Sequence, residues 1–296
     1  MRIIDKVIKA SSRSDVFEIY PLGDCHIGAR SCAERHLRQM VGRISKNPKA
    51  YAIGGGDWLD AVIPGDTKRF DFDSLPDWMF TGEAKNVRDQ LKDVLTQQRK
   101  RLKQILSPIP ADRWLGAIEG NHCYTISKYH NRDIFTGLCA DLDIDNLTDE
   151  ALIRLRFKFD SRGSTIIIYI RHGYGGGRSA GAEPNKLDAM LNEWEIADIC
   201  FTGHSHTFCI APPKPVLEIP RKGKLSSECT CRYRWAANWG CWITSHASGP
   251  AGYASRACYP ARPLLSCYAS IKPFNTIKVD GVSREHPHIE IRQVLL

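Results

Sequence analysis

The sequence predicts an α/β fold, because its apolar runs are short, rich in strand-forming residues and separated by stretches of helical periodicity. Each of five such runs also ends in a polar cluster. The strands expected are Val16 to Leu22, Tyr51 to Ile53, Trp114 to Ile118, Thr165 to Ile170 and Ala197 to Phe201. Behind the first comes Asp24-Cys25-His26, and behind the second Gly56-Asp57-Trp58-Leu59-Asp60. Gly120-Asn121-His122 follows the third, His172 the fourth, and Gly203-His204-Ser205-His206 the fifth. Polar residues at the carboxyl ends of several strands converge on one crevice.

The remaining elements take their place around these strands. Asn86 to Leu106 carries apolar residues at Val87, Leu91, Val94, Leu95, Leu102 and Ile105, a helix pattern, with Arg99, Lys100, Arg101 and Lys103 towards its end. Those cations read as a solvated face complementing the helix dipole, in preference to a nucleic-acid groove. Ala61 to Trp78 follows a polar cluster directly and is either a rim loop or a plain connector. Gly173 to Gly177 and Arg178 precede a helix opened by Pro184, and Arg178 is a candidate phosphate contact, with a flexible loop as the equal alternative. In Cys231 to Trp242 the aromatic residues alternate with arginines, as a base-stacking platform would. Period two instead puts Cys231, Tyr233, Trp235, Ala237, Trp239 and Cys241 on one face of a half-buried strand. Ile271 to Val279 and Ile289 to Leu295 read as two closing strands of a second sheet.

Composition narrows the class. With 43% hydrophobic and 25% charged residues among 296, the chain can bury a core and does not have the makeup of a disordered protein. The longest strongly apolar stretch, Ile166 to Ile170, is far short of the roughly 20 residues of a membrane helix. Met1 to Ala10 interleaves Arg2, Asp5, Lys6 and Lys9 with its apolar residues, so no secretory signal is expected and a cytoplasmic location is the default. The 41 basic against 33 acidic residues give a formal charge of +8, which suits a nucleic acid or a phosphorylated substrate without choosing between them. Eleven scattered cysteines read as free thiols; Cys229, Cys231, Cys241 and Cys258 fit the paired spacing of a structural zinc site poorly. His246 reads as a structural loop histidine, and His36, His130, His286 and His288 are assigned no role.

The five polar clusters share a chemistry. Asp, Asn and His supply hard oxygen and imidazole nitrogen donors, suited to Mn, Fe, Zn, Co or Ni, and five of the ten histidines lie in these clusters. A single D-x-H or G-N-H is ordinarily a cap or a turn. Five in order, each behind a strand, are hard to ascribe to turns.

In this order the clusters resemble the calcineurin-like metallophosphoesterases, whose signature runs D-x-H, G-D-x-x-D, G-N-H-(D/E), an isolated H, and G-H-x-H. The match runs from Asp24 to His206, roughly the first two thirds of the chain. The resemblance implies an αββα sandwich of two mixed β-sheets flanked by helices, in one domain over residues 1–296 with 207–296 integrated as C-terminal strands and accessory region. It further implies two divalent transition-metal ions, manganese first. Asp24, His26 and His206 would hold one ion, Asn121, His172 and His204 the other, and Asp57 would bridge them. His122 would be the catalytic histidine near the leaving group, and Asp60 the carboxylate that orients it. One departure is Cys123, where the family usually carries Asp or Glu.

The implied reaction is hydrolysis of a phosphoester by a metal-bridging hydroxide, with His122 protonating the departing alkoxide. A phosphodiester, nucleic acid included, is preferred over a monoester on the basic charge. A second ground is that Ala61-Val62 stands where the protein-phosphatase branch carries Arg-Gly. Phosphomonoesterase or small-nucleotide phosphatase is the alternative, and a catalytically silent binding scaffold the alternative of another class. Scaffolds of that kind lose ligands or the catalytic histidine, and here all are retained. The stretch Gly56 to Phe72 and the block His172 to Leu187 are similar to uncharacterised phosphoesterases of phage and bacterial genomes.

Overall fold

The computed structural model describes residues 1–66, 70–80, 91, 93–175, 179–218, 230–244, 262–279 and 282–295. In chain order its principal elements are β1 (Arg2–Lys9), β2 (Phe17–Leu22), α1 (Glu34–Lys46), β3 (Ala50–Gly54), α2 (Val94–Leu106), β4 (Trp114–Ala117), α3 (Asn121–His130) and α4 (Ile134–Leu142). There follow β5 (Glu150–Phe159), β6 (Arg162–Arg171), α5 (Ala182–Glu193), β7 (Ile199–Thr202), β8 (Cys209–Ile210), β9 (Lys214–Glu218) and β10 (Thr230–Asn238). The last are β11 (Leu265–Lys272), β12 (Thr276–Val279), β13 (Val282–Glu285) and β14 (His288–Leu295).

Two mixed sheets result. The first runs β1-β5-β6-β7-β10-β8, with β9 paired to the leading half of β10. The second runs β14-β11-β2-β3-β4. Side-chain alternation sorts them into layers. In β6, Ile166, Ile168 and Ile170 point into an apolar core shared with Ile153, Leu155 and Phe157 of β5 and with Ile19, Ile53, Leu115 and Ile271 of the second sheet. Tyr169 of β6 points the other way, onto Leu187, Met190 and Leu191 of α5. The outer face of the second sheet, with Tyr20, Leu22 and Ala52, is covered by α1, α2 and α4. Leu37, Met40, Val41 and Ile44 of α1 recur at helical spacing and are all buried there. The order helix, sheet, sheet, helix is the predicted αββα sandwich.

All five predicted strands are present, within three residues of the expected bounds. Two were missed. In β5, Arg154, Arg156 and Lys158 alternate with Ile153, Leu155 and Phe157, and in β1 charges interrupt the apolar positions. The two pair in parallel at the rim of the first sheet, where one face is wet and Asp5 meets Arg154 and Arg156. Their cationic alternation is the mark of a half-solvated strand.

The C-terminal reading is corrected in register. The strand inside the second sheet is β11, Leu265–Lys272; the predicted Ile271 to Val279 straddles its end, a turn and β12, which pairs with β13 in a separate hairpin. The predicted Ile289 to Leu295 is β14, antiparallel to β11. For β10, half-burial holds only in the leading half, where Tyr233 is exposed. From Ala236 to Asn238 both faces are covered, because Ala237 faces the inter-sheet core and Ala236 the core beneath α5.

Of the predicted helix Asn86 to Leu106, residues 86–90 and 92 lie outside the described residues, and α2 carries the remainder. Three of its four cations are engaged. Arg99 and Lys103 face Asp141 at 2.8 and 3.7 Å, and Arg101 faces Glu34 at 2.9 Å while lying over the Trp78 ring. Arg178, His246, Cys229 and Cys258 also lie outside the described residues. Cys231 and Cys241 are free thiols. Among the described residues, no helix is long and apolar enough to cross a membrane.

The inter-sheet core carries the stability. Ile168→Ala, at a fully buried position in the middle of β6, should destabilise the protein by about 2–5 kcal/mol, seen as a lower urea midpoint in equilibrium unfolding.

Candidate metal centre

The loops behind β2, β3, β4, β6 and β7 open at one edge of the sandwich, and the predicted donors meet there. Asp24 and His26 follow β2, Asp57 and Asp60 follow β3, and Asn121 and His122 open α3 directly behind β4. His172 follows β6, and His204 and His206 follow β7. The first two loops are laced together, Asp24 N donating to Gly56 O at 2.8 Å and His26 N to Asp57 O at 3.0 Å.

The donors form two groups around Asp57. In one, His206 Nε2 lies 3.3 Å from Asp24 Oδ1 and 3.0 Å from His26 Nε2. In the other, His172 Nε2 lies 3.0 Å from Asp57 Oδ2 and 3.2 Å from Asn121 Oδ1, and His204 Nδ1 lies 2.8 Å from Asn121 Oδ1. Asp57 Oδ2 also faces the first group, 4.0 Å from His26 Nε2. Ligands about 2.0–2.2 Å from one transition-metal ion, set near right angles, stand about 3 Å apart. The observed separations match that spacing.

Electrostatics point the same way. The Asp24 and Asp57 carboxylates are almost wholly buried, and among the described residues no Lys or Arg lies within 4 Å of either. Burial alone would raise both, yet both are held below the usual carboxylate range by neighbouring histidines, His172 foremost. Against the same desolvation, His26 is pushed up to about 10 by Asp24, Asp60 and Asp57, and His172 to about 9 by Asp57 and Asp24. Two buried anions thus draw positive charge into a pocket where, among the described residues, only imidazoles can carry it. A divalent ion answers that demand, and the donor set fits one.

Backbone conformation is spent on the same residues. Asp24, His26, Asp57, His204 and His206 all have left-handed φ, between 44° and 65°. For residues other than glycine this costs on the order of 1–3 kcal/mol each and persists only where the surroundings impose it.

His122 sits beside both groups. Its Nδ1 meets the Asp60 carbonyl oxygen at 2.6 Å, its backbone N–H donates to Asp57 Oδ1 at 3.0 Å, and its Nε2 is 3.9 Å from Asp57 Oδ2. The implied carboxylate contact from Asp60 is therefore made by its main chain. The Asp60 carboxylate instead lies 3.7 Å from His26 Nδ1, a buried nitrogen with no hydrogen bond among the described residues, where it can orient that imidazole from behind. Burial lowers His122 and favours its neutral form. Cys123 is buried in the helix-side core with its thiol raised by burial, so it supplies packing and no charge.

Several supporting residues carried no signal in the sequence. Trp239 reads there as a core residue of an alternating strand, but its indole N–H donates to Asp24 Oδ2 at 2.7 Å from just beyond β10. Its ring is packed so closely that a Cβ on Gly203 would stand 2.2 Å from it and 2.3 Å from Asp24 Oδ2. Gly120 is equally constrained, since a Cβ there would fall 2.2 Å from Asp57 Oδ1. Glu183 of α5 accepts from Ser205 Oγ at 2.8 Å and from Asn238 Nδ2 at 2.6 Å, fixing the turn that carries His204 and His206. Gln98 of α2 accepts from Ala61 N at 3.1 Å, holding the loop behind Asp60. These partners lie 22 to 55 residues apart, beyond the reach of local pattern.

No protein-family model and no curated protein matches this sequence. Among solved structures, the chain is similar to a conserved uncharacterized protein, a predicted phosphoesterase, from Streptococcus pneumoniae TIGR4, at 16% identity and TM-score 0.33, over 93% of this chain and 99% of that one. It is also similar to wild-type Vps29 complexed with zinc from Entamoeba histolytica, at 12% identity and TM-score 0.35, over 94% and 98%. The calcineurin-like phosphoesterase YfkN from Bacillus subtilis is similar at 10% identity and TM-score 0.43, over 93% and 90%.

The indole contact can be tested directly. Trp239→Phe keeps an aromatic ring but removes the donor to Asp24, and affinity for a divalent transition-metal ion in equilibrium dialysis should fall about 10- to 100-fold.

Proposed function

We propose that the chain is a calcineurin-like metallophosphoesterase holding two divalent transition-metal ions, manganese first, and hydrolysing a phosphodiester of polynucleotide type. The observation that carries this reading is the convergence of seven donors at about 3 Å spacing, two of them buried carboxylates with no Lys or Arg partner among the described residues. Asp24, His26 and His206 would hold one ion, Asn121, His172 and His204 the other, with Asp57 between them. The +8 charge supports an extended anionic substrate. The reading takes residues 1–296 as one catalytic domain.

When bound, the ions supply an activated water and neutralise phosphoryl charge in an in-line displacement. The chain's own residues do the rest. Asp57 is placed to serve both ligand groups, and its Oδ1 accepts the His122 backbone N–H, so the same carboxylate sets the position of the catalytic residue. The Asp60 carbonyl oxygen accepts a hydrogen bond from the Nδ1–H of His122 and so turns Nε2 into the pocket. Protonated there, Nε2 passes its proton to the departing oxygen; because burial favours the neutral ring, the anionic substrate must raise the acid form.

Purified and reloaded protein should hold about two ions per chain, and Asp57→Asn should reduce occupancy of both positions. Elemental analysis with Mn, Zn, Fe, Co and Ni checks this; one ion or none in every case discards the dinuclear arrangement. His122→Ala should keep its metal and lose about 10²- to 10⁴-fold in rate on alkyl phosphodiesters, but far less on an activated aryl phosphodiester. Equal losses on the two substrates would remove the general acid. Comparing aryl diesters, aryl monoesters and cyclic nucleotides separates the diesterase from a phosphatase, and absence of turnover with every metal identifies a scaffold.

A further inference from the structure

We infer that the outward face of α1 binds the phosphate backbone of a polynucleotide and leads it to the metal centre. The inference rests on the proposed function for its substrate class, but the observations behind it lie elsewhere on the surface.

Burial of Leu37, Met40, Val41 and Ile44 fixes which side of α1 faces out. On that side Arg35, Arg38, Gln39, Gly42, Arg43 and Lys46 line a shallow, open cleft on the surface of the helix. These cations differ from those of α2, which acidic neighbours engage. Among the described residues no carboxylate lies within 4 Å of Arg35, Arg43 or Lys46, and Arg38 is 3.9 Å from Glu34, whose carboxylate is already held by Arg101 at 2.9 Å. Arg43 is set in place, its Nε donating to Tyr20 Oη at 2.9 Å and its guanidinium 5.2 Å from the centre of the Tyr268 ring.

Gly42 is the second observation. Glycine inside a helix is destabilising relative to alanine, so its presence calls for a reason. Packing supplies none, because a Cβ at this position would meet nothing within 4 Å. Its effect is to leave the floor of the cleft bare, so that an anion can approach the helix backbone between the flanking cations.

Length and direction fit a polymer. Eleven helical steps from Arg35 to Lys46 cover about 16 Å, long enough to meet more than one successive phosphate of a strand. The helix leaves the loop that carries Asp24 and His26 and returns to β3, which is parallel to β2. Arg35 therefore lies towards the metal-centre edge and Lys46 away from it.

The test uses the full chain and labelled oligonucleotides about 20 nucleotides long, as single-stranded DNA, single-stranded RNA and duplex DNA, with polyglutamate for comparison, between about 50 and 200 mM salt. The expected wild-type result is a linear fall of log affinity with log salt. The triple variant Arg35→Gln, Arg38→Gln, Lys46→Gln should lower that slope by about two to three and weaken binding about tenfold or more at the lower salt, with turnover of a small aryl phosphodiester unchanged. Gly42→Leu adds bulk without altering charge, and should weaken binding at an unchanged slope while raising the melting temperature. A triple variant that keeps the wild-type slope, no wild-type binding at low salt, or equal affinity for polyglutamate would each overturn the assignment of α1. Aryl diester turnover is read separately: its absence discards the reading of the metal centre, while the salt slopes still decide α1.

Discussion

Two ionised carboxylates, Asp24 and Asp57, lie almost fully buried where the ends of the two sheets meet. Removing such groups from water is costly unless each is hydrogen-bonded and faced by positive charge. Much of the surrounding structure meets that demand. Backbone N–H groups of His122 and His204, the Trp239 indole and a ring of imidazoles all turn towards the two anions. The left-handed turns at five donor residues are the conformational cost of aiming them inward. The sandwich supplies the rigidity that keeps those turns in place, through a core in which both sheets are lined by large aliphatic and aromatic side chains.

How much of this was legible in the sequence depended on the range of the interaction. The strands behind the donors show in short apolar runs such as Ile166 to Ile170, because a strand buried on both faces needs apolar residues at consecutive positions. The donors show because each stands directly behind such a run. Strands β1 and β5 lack such runs because Asp5 and Lys6 in the first, and Arg154 and Arg156 in the second, occupy positions that face water or an ion partner. Ile271 to Val279 misled because its apolar residues continue past the end of β11 into a hairpin that belongs to neither large sheet.

The site showed a similar division. Seven donors are visible as types at recognisable spacing, but what fixes them is not. Trp239 is indistinguishable in sequence from any core aromatic on an alternating strand. Asp60 illustrates a different limit: its presence near His122 was readable, whereas the use of its carbonyl for His122 and of its carboxylate for His26 depends on the local turn. The positive charge divides in the same manner. The dense run Arg99 to Lys103 drew attention and is largely neutralised by Asp141 and Glu34, while the sparser row on α1 stays open because its helical spacing keeps acidic residues off that face.

The indole bond from Trp239 to Asp24 spans 215 residues of chain. It joins a residue just beyond the first sheet to a loop of the second, and the other donors are contributed from loops scattered between them. The pocket therefore exists only where the two sheets are docked, since loops of both sheets build it. A ligand that binds the folded chain and not the unfolded one stabilises it by mass action. Filling this pocket would thus stabilise the native state, making the site a latch on a sandwich that has already closed.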